Sequence, residues 1–183
     1  MGLLKKAAVL AGLAAAAEGL GTAYFYRRTM IRTNAKPERN AKMSGIDWSQ
    51  YYPRMHENRD WLLQQPHEEV GILSHDGLKL HGTYFPGPGN KVVICFHGYT
   101  SYGMGEYPSL ARCFMSRGFG ALIIDQRSHG ESEGKYIGFG CMDRLDALEW
   151  IRWTVDKVGQ DAQIILHGGS MGGATVCMVS GMD

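Results

Sequence analysis

The sequence predicts an α/β domain with a mainly parallel central sheet and flanking helices. Three observations carry that reading. Lys91–Phe96 (KVVICF) and Gly120–Asp125 (GALIID) are continuous apolar runs rich in branched residues, the mark of strands buried on both faces, and Ala162–Leu166, interrupted only by Gln163, is read as a third buried strand. Helical periodicity fills the intervals between them. A strand, helix, strand, helix order needs crossover connections, and these make the strands parallel.

The elements follow in chain order. After Lys5 and Lys6, residues 7–26 carry no charge except Glu18, and at ~1.5 Å per residue they span about 30 Å, one hydrocarbon thickness. Val9, Leu10, Leu13, Leu20 and Phe25 together favour insertion by about 2 kcal/mol, while a central Glu18 opposes it by roughly 2 to 3 kcal/mol. Three readings stay open: an uncleaved anchor, a signal peptide cut near Ala15-Ala16-Ala17, and an uninserted helix. Residues 1–28 are therefore an N-terminal hydrophobic segment, and the chain is expected to be membrane-anchored, with secretion or a cytoplasmic location as alternatives. Arg27, Arg28, Arg32 and Lys36 outnumber the basic residues before the segment, which favours a cytoplasmic side for the following portion without fixing the topology.

Residues 29–66 make a linker and a short amphipathic helix. Thr29–Ser49 is polar and basic without apolar periodicity. Pro53 suits a helix start, Met55, Trp61 and Leu62 supply a stripe, and Pro66 marks the stop. Residues 67–183 form the α/β domain. Glu69–Ser74 and Leu78–Phe85 flank Asp76-Gly77, a hairpin signal. A helix is expected over Glu106–Arg117, closed by Gly118, and another over Met142–Val158, where Leu145, Leu148, Ile151 and Val155 fall on one face. A last helix begins at Met171.

Composition narrows the function classes. With 44% hydrophobic and 20% charged residues the chain is an ordinary globular protein rather than a disordered one. A net charge of +1 and the lack of a basic stripe exclude a nucleic-acid partner. Cys95, Cys113, Cys141 and Cys177 form no C-x-x-C pair and have no histidine at metal-ligand spacing, so they are expected to be reduced and mostly buried; no metal or cofactor is implied.

The pattern G-x-S-x-G occurs twice, around Ser170 and around Ser132, although 25 glycines and ten serines among 183 residues give roughly 0.2 matches by chance. Context separates them. Ser170 stands between a buried strand and a helix, as a nucleophile elbow requires, whereas polar residues surround Ser132. Ser170 is the candidate nucleophile and should have φ > 0. Gly168 and Gly172 should be needed for close packing. Acyl transfer also needs donors for the oxyanion; the backbone N–H groups of Met171 and Tyr99 are the candidates, the latter in the loop after KVVICF. His97 is read as structural.

Together CFHGYTS, DQRSHGES and LHGGSMGG closely resemble the α/β-hydrolase superfamily, particularly its esterase, lipase and serine-aminopeptidase-like members, from about Glu69 to the end of the chain. The resemblance implies that the histidine-glycine loop and the elbow form the oxyanion hole, and that the DQRSHGES loop is structural support ending in Ser132. Ser128 stands where relatives often have glycine. The superfamily order of nucleophile, then Asp or Glu, then His, puts the acid and base after Ser170, and none of the seven histidines follows it. The 183-residue chain is thus expected to be an N-terminal portion of a serine hydrolase acting on carboxylic esters, amides or thioesters, with negligible turnover alone. The alternative is a non-catalytic, membrane-associated binding protein that keeps the fold.

Overall fold

The computed structural model describes residues 2–32, 47 and 49–182; most of the expected linker, residues 33–46, lies outside the described residues. The chain divides into two compact units, Met1–Ile31 and Arg32–Asp183. The first is a single helix, α1 (Leu3–Met30), with no buried residue. By length and composition it could cross a membrane, a criterion that a signal sequence also meets.

The second unit opens with α2 (Tyr52–Leu63), which carries Pro53 in its first turn, where a missing N–H costs nothing. β1 (Glu68–Leu73) and β2 (Lys79–Phe85) make the antiparallel hairpin. Gly77 turns it at φ 84°, and Ser74 N–H donates to the Leu78 carbonyl across it. β3 (Lys91–Phe96), β4 (Gly120–Ile124) and β5 (Gln163–Gly168) pair in parallel. β2 pairs antiparallel with β4, and the sheet order is β1-β2-β4-β3-β5.

Alternation along the strands divides the core into two layers. Val92, Ile94, Phe96, Leu122 and Ile124 point to one face, where α5 (Asp143–Val158) supplies Ala147 and Trp150 and α6 (Met171–Val179) supplies Val179. Val93, Cys95, Ala121 and Ile123 point to the other, against Leu62 of α2 and Ala111 of α4 (Pro108–Met115). Burial of this kind is worth about 1.5 to 3 kcal/mol for each large side chain. It explains why β3 and β4 needed uninterrupted apolar sequence.

Three expectations change. The helix expected over Glu106–Arg117 is two pieces, α3 (Gly103–Glu106) and α4, because Pro108 cannot donate into a continuing helix and so begins a new one. Gly118 closes α4 at φ 80°, as the αL position after a helix favours. β5 is not buried on both faces: among the described residues it pairs only with β3, and Ile165 is 38% exposed. Only Cys95 of the four cysteines is buried, since it alone lies in a central strand; Cys113, Cys141 and Cys177 are exposed and all four are free.

Candidate active site

Ser170 occupies the tight turn between β5 and α6. Its backbone lies at φ 52° and ψ −115°, a region that costs an L-residue on the order of 1–3 kcal/mol. Glycine makes the turn sterically feasible. A Cβ on Gly172 would run into the Phe96 carbonyl at the end of β3, and one on Gly168 would run into the Gly172 backbone. The turn therefore presses the start of α6 directly onto the end of β3. The Ser170 side chain is exposed and makes no capping bond to the helix it begins. Its hydroxyl serves no structural purpose that the cap position would supply.

The loop after β3 lies against this turn. A Cβ on Gly98 would sit 3.6 Å from Ser170 Cβ, an ordinary van der Waals distance, so the loop packs directly beside the serine. Tyr99 follows, with its ring stacked on Phe139 at 5.2 Å. Met171, on the other side of Ser170, is the first residue of α6, where backbone N–H groups and the helix dipole favour negative charge. The structure thus gathers Ser170, Met171 and the Gly98-Tyr99 step at the carboxyl ends of β3 and β5.

His97 takes no part in that surface. It is fully buried. Its Nδ1 lies 2.8 Å from the Gly98 carbonyl and its Nε2 accepts the Gln126 N–H at 3.0 Å, which fixes the proton on Nδ1. Burial, reinforced by repulsion from His129, lowers its pKa to about 4. His129 is committed in the same way, with Nδ1 at the Arg127 carbonyl and Nε2 accepting the Thr100 N–H, and burial lowers its pKa.

A family model described as serine aminopeptidase, S33, matches residues 87–182, more than half of the chain. The chain belongs to this family of α/β-hydrolases. It is similar to the thiohydrolase aneE of Aspergillus aculeatus (32% identity over 123 residues, 61% of this chain and 36% of that protein). It is also similar to the uncharacterised protein YqkD of Bacillus subtilis (30% over 92 residues, 50% of this chain and 30% of that protein). Among solved structures, the Pyrococcus furiosus esterase Pf2001 has 32% identity and a TM-score of 0.58, covering 62% of this chain and 45% of that one. An α/β-hydrolase from Penicillium, GrgF, shares the fold at a TM-score of 0.59 and 24% identity. The chain spans less than half the length of these relatives.

In this α/β-hydrolase Tyr107 and Thr175, outside the motifs, and Gln126, inside DQRSHGES, hold the site. The Tyr107 hydroxyl donates to the Phe96 carbonyl at 2.7 Å and accepts the N–H of Gly169, 62 positions further on, at 3.0 Å, tying β3 to the elbow. Burial and then the neighbouring Glu106 carboxylate raise its pKa. Gln126 gives its side-chain N–H to the His97 carbonyl at 2.5 Å and takes the Thr175 hydroxyl at 2.7 Å, joining the loop after β3 to α6. Nothing local in the sequence distinguishes Tyr107 or Thr175, and DQRSHGES marks the segment of Gln126 without revealing its partners. Their roles depend on contacts that only the assembled sheet creates.

The second G-x-S-x-G serine is structural. Ser132 is fully buried; its hydroxyl donates to the Asp125 carbonyl at 2.6 Å and accepts the His81 N–H at 2.8 Å. Burial opposes ionisation of Asp125, but hydrogen bonds from His81 and from the Glu131 and Gly103 amides outweigh it and lower its pKa. Ser128 sits at φ 65°, a conformation that glycine adopts without strain, and its hydroxyl donates to the Tyr136 carbonyl at 2.8 Å.

Among the described residues His75, Asp76 and Asp146 come close enough to share a cation, but Arg127 already fills that role. Its guanidinium bonds Asp146 at 2.6 and 2.7 Å and Asp76 at 3.0 Å. Hydrogen bonding from Arg127 pulls Asp76 well below the usual carboxylate range, whereas burial outweighs the same partner at Asp146 and raises it. A groove of about 1110 Å³ between α2 and α4, lined by Arg54, Asn58, Arg112 and Cys113 among others, includes neither Ser170 nor Tyr99.

Proposed function

We propose that Ser170 is the acyl-enzyme nucleophile of the full-length protein, a serine hydrolase of carboxylic esters, amides or thioesters. The observation that carries this reading is the strained backbone of an exposed serine between β5 and α6, locked by a glycine contact to the Phe96 carbonyl. In the proposed reaction the Ser170 oxygen attacks the substrate carbonyl carbon while its proton passes to a histidine base. The tetrahedral oxyanion is held by the Tyr99 and Met171 N–H groups, each donor lowering the barrier by about 3 kcal/mol. The leaving group departs with a proton, and water then hydrolyses the acyl-enzyme. The order of nucleophile, acid and base in α/β-hydrolases puts that histidine and its carboxylate partner after Ser170. His97 and His129 are poor substitutes because backbone groups occupy their ring nitrogens. The names of two relatives, an esterase and a thiohydrolase, favour ester or thioester substrates.

We also propose that α1, through residues 7–26, anchors the protein to a membrane. Hydrolysis of p-nitrophenyl acetate by the full-length protein should fall by at least about 10³-fold in Ser170→Ala. Full retention of activity would contradict the nucleophile assignment, and no activity toward esters, amides or thioesters would favour a binding protein that keeps the fold.

A further inference from the structure

Glu106 ends α3, is exposed, and reaches back across the loop after β3. Its Oε2 accepts the Gly98 N–H at 2.9 Å. Its Oε1 would lie 3.2 Å from a Cβ on Gly169, and its Oε2 3.5 Å from a Cβ on Gly98, the same position that lies 3.6 Å from Ser170 Cβ. The carboxylate therefore spans the two glycines that flank the candidate nucleophile, and neither offers a side chain to cover it. Among the described residues it forms no ion pair with Lys, Arg or His.

A fixed negative charge beside an oxyanion site has a chemical consequence. The tetrahedral adduct gains negative charge as it forms, and an uncompensated carboxylate nearby opposes it. A substrate cation near the scissile carbonyl would face Glu106 and relieve that repulsion, while a substrate anion would add to it. We infer that Glu106 is a specificity-determining residue that selects substrates bearing an ammonium-type cation close to the scissile carbonyl and rejects those bearing a carboxylate there. This rests on the serine-hydrolase reading of Ser170.

The test uses the full-length protein and three p-nitrophenyl esters: 4-(trimethylammonio)butanoate, its neutral isostere 5,5-dimethylhexanoate, and hemiglutarate. Glu106→Gln keeps an acceptor for the Gly98 N–H and removes the charge. The ratio of kcat/KM for the cationic ester over the anionic one should fall about tenfold in the variant, with the neutral ester, which gains only the relief of oxyanion repulsion, shifting by an amount between those of the two charged esters. In the unmodified protein the same ratio should shrink as salt is raised from about 0.02 to 0.5 M, a readout that needs no variant. An equal change for all three esters, or a ratio insensitive to both charge removal and salt, overturns the inference and leaves Glu106 as a residue that only positions Gly98. If Ser170 neither turns over esters nor reacts with a fluorophosphonate, the hydrolase reading fails first and takes this inference with it.

Discussion

His97 shows how a residue inside a motif can be committed to structure rather than to chemistry. Both ring nitrogens are used by backbone groups of the loops that shape the site, and burial keeps the ring neutral. Its pKa falls from an ordinary 6.5 to about 4 on folding, so the folded state disfavours protonation. The stability this represents is present in full above pH 6.5 and is lost as the pH falls toward 4, by about 3 kcal/mol. His129, lowered by burial, weakens the fold over the same range and Asp76 and Asp125 do so only as the pH falls below their ordinary 3.8, whereas His81, raised by its hydrogen bond to Asp125, opposes them. The difference between the unmodified protein and His97→Gln isolates the ring. Urea unfolding should show the variant less stable at pH 7 and the gap narrowing toward pH 4; a gap independent of pH would contradict this account.

At the scale of elements, the site depends on the coupling of β3 to the β5–α6 turn, and Tyr107 supplies much of it. Tyr107→Phe removes the hydroxyl that bridges the Phe96 carbonyl and the Gly169 N–H, leaving only a 3.4 Å contact between those two groups. The loss should be about 1–2 kcal/mol in urea unfolding, with slower acylation at Ser170. Unchanged stability and unchanged acylation would show that the turn holds itself. This coupling also marks the limit of what sequence reveals. KVVICF and GALIID could be read as buried strands because both faces had to be apolar, and the turn around Ser170 could be read because its glycines abut backbone. Tyr107 could not, since an ordinary aromatic residue gains its role from partners 11 and 62 positions away. The break before Pro108 was visible as a proline, but the run around it was still compatible with one helix. β5 was misjudged because an apolar run looks the same whether one face or two are covered.

For the whole molecule, two units carry separate expectations. If α1 is an anchor, alkaline extraction should leave the protein in the membrane fraction; release into the soluble fraction would mean cleavage or an uninserted helix. The larger unit places an exposed, strained serine where its fold puts chemistry, and a second serine of the same spelling in a buried structural loop. The central claim is that only the first is a nucleophile. It is tested most directly by treating the full-length protein with a fluorophosphonate and locating the adduct by peptide mass spectrometry. Modification at Ser170, absent in Ser170→Ala and absent at Ser132, is the predicted result; no adduct at Ser170, or one at another residue, would contradict it.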